Sequence, residues 1–179
     1  MRNLDWGVSG EASQDMSRGS IWPYGENNTL DKLRNILAKD LPRTTKAEQI
    51  AQTIREDGAY RWVGIYDVDL DRGLVSNVAW SGPAAPAYPT FPVTKGLTSR
   101  AIAEKKTINV GDVASDPGYL LALDTTQSEI IIPVVDGEGE RVIGTLDVES
   151  ERPHAFSPES QTALEEVVRI LVPFWINSR

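Results

Sequence analysis

The chain has 179 residues, 40% hydrophobic and 25% charged, enough for one domain with a substantial core. Its 26 acidic against 18 basic residues give a net charge of −8, which disfavours nucleic acid and anionic membranes as partners. There are no cysteines and a single histidine, His154, which excludes disulfides, thiolate nucleophiles, cysteine-based zinc sites and poly-histidine metal sites.

Residues 1–28 are polar, rich in Gly, Ser and Asn, and without periodicity. They read as a tail or docked arm, with Trp6, Trp22 and Tyr24 available to pack on the parent domain or on a second subunit. The segment MRNLDWGVSGEASQDMS lacks the apolar core of a secretion signal, and no run approaches the ~18 apolar residues of a membrane span. A soluble, cytoplasmic protein is expected. Residues 29–179 read as a single domain.

Residues 29–39 carry Leu30, Leu33, Ile36 and Leu37 at helical spacing, with Asn28 or Thr29 as N-cap. A second helix is expected over 44–57, capped by Thr44 or Thr45, striped by Ala47, Ile50, Ala51 and Ile54, and ended by Gly58. Residues 60–68 (YRWVGIYDV) form a strand with Trp62, Gly64, Tyr66 and Val68 on one face. A turn at Asp71-Arg72-Gly73 leads into a second strand over 73–80. The following SGPAAPAYPTFP, with prolines at 83, 86, 89 and 92, can be neither a central strand nor a helix and reads as a loop crossing one face. A short helix over 96–105, a short strand over 107–110 and a long connection over 112–127 follow. The connection is read with one helical turn near Tyr119 to Leu123. Its Asp112, Asp116 and Asp124 lack EF-hand spacing, and no metal site is expected. Ser157-Pro158-Glu159 is a helix start, with Pro173 distorting or ending the helix.

The stretch 128–150, SEIIIPVVDGEGERVIGTLDVES, carries the chemistry. Two β-branched runs flank a Gly-rich turn, the pattern of a hairpin. Asp147 and Glu149, spaced by two, share a strand face with Ile143 and Thr145. A three-residue loop at Gly137-Glu138-Gly139 would pair Asp136 with Glu140 and set Glu129 opposite Asp147, so that three acids converge on one sheet face. Partly buried carboxylates need a cation, hydrogen bonds or protonation. Arg61 and Arg100 are the candidate internal cations, and a ligand ammonium the external one. Acids this close titrate together, with at least one pKa raised. Gly64 between Trp62 and Tyr66 leaves a gap on the inner face, and an aromatic wall beside carboxylates suits an ammonium.

The series WVGIYDV, F-P-V-x-K-G-L, GDVASDPGY, SEIIIPVVDGEGERVIGTLDVES and the terminal FSPES helix resembles a GAF domain over about residues 30–176. Trp62 and Tyr66, D-x-x-x-x-S-E at 124–129 and D-x-E-S at 147–150 are most similar to the free methionine-(R)-sulfoxide reductases. The resemblance implies an α+β, GAF-like fold. A central antiparallel sheet of five to six strands has the N- and C-terminal helices on one face. Long loops and a short helix cover the other. It also implies a pocket for a free amino acid lined by Trp62, Tyr66, Asp124, Glu129, Asp147 and Glu149. That family reduces its substrate with a thiolate. The corresponding places here read Ala84 to Thr90, Thr98 and Leu123, and a hydroxyl cannot replace a soft, low-pKa nucleophile that forms a disulfide.

The expectation is therefore a sensor-type domain that binds a cationic or zwitterionic small molecule. It has no catalytic residue, no cofactor and no metal, and it forms a homodimer through its terminal helices. The alternatives are a reductase homologue, and a dimerisation or regulatory module that binds no ligand.

Overall fold

The computed structural model describes residues 26–120 and 124–177. Six strands form one antiparallel sheet in the order β3-β2-β1-β6-β5-β4. They are β1 (Trp62–Asp69), β2 (Leu74–Ser81), β3 (Thr90–Pro92), β4 (Ile108–Val110), β5 (Ser128–Val135) and β6 (Val142–Ser150). The helices are α1 (Glu26–Ala38), α2 (Arg43–Asp57), α3 (Gly96–Glu104) and α4 (Pro158–Ile176). The fold is thus the expected α+β arrangement, with six strands.

One sheet face carries α1, α2 and α4. Leu30, Leu33, Ile50, Ile54, Leu164, Val167 and Leu171 from the helices meet Val63, Ile65, Ile130, Ile132, Leu146 and Val148 from the strands in the main core. Each such fully buried aliphatic side chain contributes about 1.5–3 kcal/mol of transfer free energy. The apolar stripes of the terminal helices are consumed inside the protomer. Tyr88 and Ile176 are the large apolar residues left exposed among the described residues.

Trp175 pins α4 to the sheet. Its buried indole Nε1 donates to the Tyr66 carbonyl at 3.0 Å. A Cβ at Gly144 would lie 2.0 Å from that nitrogen, so only glycine lets the ring reach the backbone. On the same side, buried Asp57 accepts from Thr29 Oγ1 at 2.8 Å and from Lys32 Nζ at 2.8 Å, tying α1 to the end of α2.

Several boundaries differ from the sequence reading. Helix α1 starts at Glu26, and Thr29 bonds Asp57 instead of serving as N-cap. Helix α2 starts at Arg43 after Pro42, with no side-chain cap. Helix α4 runs through Pro173 to Ile176, and its Ser157 N-cap holds, with Oγ accepting from the Ser160 amide. The Pro-rich stretch contributes β3, an edge strand paired only to β2, where a proline removes no ladder bond the sheet needs. The arm with Trp6, Trp22 and Tyr24 lies outside the described residues. So does the end of the turn expected near Leu123.

The hairpin register is shifted by two from the expected one. Asp136 closes on Arg141 over a four-residue loop, its amide donating to the Arg141 carbonyl at 2.9 Å. A bulge follows at Val134/Val135. Glu129 therefore pairs with Glu149, and Ile131 with Asp147. A shift of two preserves the faces, so all three acids still share one. The bulge does change the strand's first residues: Ile143 joins the helix-side core and Val142 takes the acid face.

Candidate functional site

The sheet face opposite the three long helices is covered by α3, by the loop over 82–89 and by the segment reaching Leu120. Between them and the strands lies a cavity of about 30 Å³, room for one or two waters as the loops lie. Its floor is set by strand pairing. Trp62 stands opposite Glu149, Gly64 opposite Asp147 and Tyr66 opposite Thr145 on β1 and β6, while Glu129 faces Glu149 from β5. The walls are Phe91, Leu97, Thr98 and Leu120, with Pro86 and Tyr88 from the loop above.

The aromatic wall is a chain of tilted rings. Trp62 and Tyr66 centroids are 6.4 Å apart, and Tyr66 meets Phe91 edge-on at 5.9 Å. The Trp62 indole Nε1 donates to the Ala84 carbonyl at 3.0 Å, which ties the loop over 82–89 to the wall. Gly64 and Gly82 flank that ring closely. A Cβ at either would fall 2.3 Å from an indole carbon.

Glu129, Asp147 and Glu149 are 7%, 5% and 1% exposed. Neither candidate internal cation reaches them, because Arg61 pairs with Glu151 and Arg100 with Asp116. Glu149 accepts a short hydrogen bond from the Thr126 hydroxyl. Thr145 Oγ1 and Asp147 Oδ1 are buried without a hydrogen-bond partner among the described residues. Burial pushes the Asp147 carboxyl up to about 7, with the Glu149 charge adding and the nearby Thr145 hydroxyl opposing, though its geometry makes no hydrogen bond. Burial likewise raises Glu149 to about 7 against the Thr126 hydroxyl. Glu129 is held well above the usual carboxylate range by burial, then by the charges of Glu149 and Asp147. The Tyr66 phenol is raised by burial and by the same three acids.

Five of the six residues read from the sequence thus line one cavity: Trp62, Tyr66, Glu129, Asp147 and Glu149. Asp124 does not. It is exposed in the loop, and Thr126, two residues on, is the side chain that reaches the acids. Thr98, at the place of a family thiol, lines the cavity and is 4% exposed. Leu123 lies outside the described residues. Sequence reading missed Phe91, Leu97, Thr126 and the loop residues Pro86 and Tyr88. Of these, Phe91 and Leu97, the two ends of the F-P-V-x-K-G-L series, carried a signal. No group of three or more metal-ligating side chains is placed to hold an ion among the described residues. Asp112 instead caps a short 3-10 turn by accepting from the Ala114 amide.

Comparison with known proteins places these features. Residues 43–172 match the family model described as GAF domain. GAF domain-containing protein A of Dictyostelium discoideum is 26% identical over 157 residues, covering 88% of this chain and 96% of that protein. The free methionine-R-sulfoxide reductase of Saccharomyces cerevisiae is 27% identical over 112 residues, 62% of this chain and 60% of that protein. The structure of free methionine-R-sulfoxide reductase from Neisseria meningitidis in complex with its substrate superposes with a TM-score of 0.77 at 26% identity. It covers 100% of this chain and 98% of that one.

Proposed function

The chain belongs to the GAF domain family, and from that premise we propose that it is a receptor for a small cationic or zwitterionic molecule, a free amino acid foremost, with no thiol redox chemistry of its own. The observation that carries the reading is Asp147 Oδ1, buried and without a hydrogen-bond partner, beside two more buried acids and an aromatic wall. A carboxylate in that position is unfavourable until a cation reaches it. A ligand ammonium meets the need through charge and through the faces of Trp62 and Tyr66.

Similarity to methionine-R-sulfoxide reductases supports the amino-acid class of ligand. The absence of cysteine anywhere in the chain opposes the same reaction, because neither a nucleophilic sulfur nor a resolving one exists. Asp124, exposed in the loop, is proposed to act at the entrance. The homodimer is proposed to use the outer flanks of α1 and α4, since their apolar stripes are already buried. No described helix is long and apolar enough to cross a membrane.

Isothermal titration of free amino acids, with methionine and its sulfoxide included, tests the reading. Binding that disappears in Asp147→Asn is expected. No heat from any of them would leave the module that binds no ligand. Turnover of free methionine-R-sulfoxide with dithiothreitol would restore the enzyme.

A further inference from the structure

The two faces of the sheet are joined at Tyr66. Its ring lines the cavity, while its carbonyl accepts from the Trp175 indole of α4, which belongs to the helix-side core. The β1–β2 ladder is interrupted at the same point. Ile65 pairs with Ala79 and Tyr66 with Asn77, which leaves Val78 as an extra residue on β2. The Asn77 side-chain amide patches the gap by donating to the Ala79 carbonyl at 3.1 Å. A bulge disrupts a ladder locally, so Tyr66 is held less firmly on its β2 side than a regular pair would hold it.

From Tyr66 a closed circuit of contacts runs through three elements. Trp175 meets Phe174 edge-on at 5.0 Å. The guanidinium of Arg43, the first residue of α2, lies over the Phe174 ring at 4.6 Å. It also grips Asp67, the residue after Tyr66, through hydrogen bonds of 2.9 and 2.6 Å. Dense packing would freeze such a circuit, but Trp175 borders a cleft of about 300 Å³ that it shares with Arg43, Asp67, Val142 and Ile143. The indole therefore has room to follow the Tyr66 carbonyl. The receptor reading sets a ligand cation against the Tyr66 ring. Resting on that reading, we infer that Tyr66 and Trp175 form a relay, by which occupation of the cavity is felt on the other side of the sheet at the end of α4. The element with two arrangements is the Tyr66 peptide at the bulge, and the ligand biases it through the ring.

Amide hydrogen exchange on the full chain tests the relay, with residues 171–176 of α4 as the readout and residues 30–38 of α1 as the internal reference. Two triggers are used. L-Methionine is the ligand probe, its binding followed by calorimetry. Gly64→Ala displaces the Tyr66 ring with no ligand present, because a Cβ there would fall 2.7 Å from Tyr66 Cε2. Relative to α1, exchange at the end of α4 is expected to slow about fivefold or more with L-methionine and to quicken about as much in Gly64→Ala. Trp175→Phe keeps a ring and removes the N–H, so it should abolish both responses while leaving L-methionine affinity within about threefold. In Gly64→Ala, exchange that changes no more at the end of α4 than in α1 would overturn the relay, whatever the stability of Trp175→Phe. L-Methionine binding without a response at α4 would overturn the relay and leave the receptor standing. A Gly64→Ala response without L-methionine binding would count against the receptor and uphold the relay.

Discussion

Gly64 on β1 faces Asp147 on β6 directly across their antiparallel ladder. The space a side chain at Gly64 would take is filled by the Trp62 and Tyr66 rings. A Cβ at Gly64 would fall 2.3 Å from Trp62 Cη2 and 2.7 Å from Tyr66 Cε2, so both rings would have to move, and the cavity is the space available to them. Gly64→Ala is expected to fold with about 1–3 kcal/mol less stability and to lose ligand affinity at least tenfold. Thermal melts and calorimetry on the same sample check it. Unchanged affinity would make the glycine a packing feature alone.

The acid cluster sets an inverted pH dependence of stability. Asp147 and Glu149 sit near 7 when folded and near 4 when unfolded. The folded state thus holds more protons, and stability from these groups is present below about pH 4 and lost as pH rises through about 7. Facing them are Tyr66 from β1, Glu129 from β5 and the Thr126 hydroxyl. Asp147→Asn, which removes a buried charge while keeping shape, is expected to raise the melting temperature at pH 8. A gain of about 1–2 kcal/mol corresponds to roughly 2–8 °C in a domain this size. Little difference should remain at pH 5. Melts across pH 5–8 give the answer.

Ligand binding inherits the same protons. An ammonium beside Asp147 favours its ionised form, so binding releases a proton. Affinity should rise from pH 6 to 7 by up to about tenfold for one proton released. Titration in two buffers of different ionisation enthalpy counts that proton. Affinity that falls over this range would show the acids binding in their protonated form.

Asp57 offers a contrast, being a buried acid whose partners are internal. Asp57→Ala strands the fully buried Thr29 hydroxyl and removes the carboxylate that Lys32 pairs with. A loss of about 1–3 kcal/mol is expected, read by chemical denaturation. Ligand affinity well below the transition should be unchanged, since α1 and the end of α2 lie on the other side of the sheet.

Most of the fold was legible because its signals are periodic. The stripes Leu30, Leu33, Ile36 and Leu164, Val167, Leu171 dictate helices on a core, and Trp62, Gly64, Tyr66 alternate against Val63 and Ile65. The hairpin register was not legible, since a four-residue loop followed by a bulge looks, in sequence, like a three-residue loop. The error was even, so the acids kept their face, while Ile143 and Val142 exchanged sides at the bulge. The strand residues proposed for the site line one cavity because alternation places them on one face. Asp124 lies exposed outside the cavity lining, and Thr126, Pro86 and Tyr88 were not read, because loop side chains follow no period. The fates of Arg61 and Arg100 depended on Glu151 and Asp116, surface partners that the spacing did not reveal.

The loop over the cavity has a kinetic meaning. Pro86 and Tyr88 line it from a loop held by the Trp62–Ala84 hydrogen bond and by the Asn77 amide donating to the Pro89 carbonyl. A ligand entering beneath that loop is expected to wait for it to lift. Under excess ligand, the observed association rate should therefore level off at the loop's own opening rate. Trp62→Phe, which removes the first of these ties, should raise that plateau even as it weakens the final complex. Stopped-flow fluorescence would then time the door separately from the room behind it.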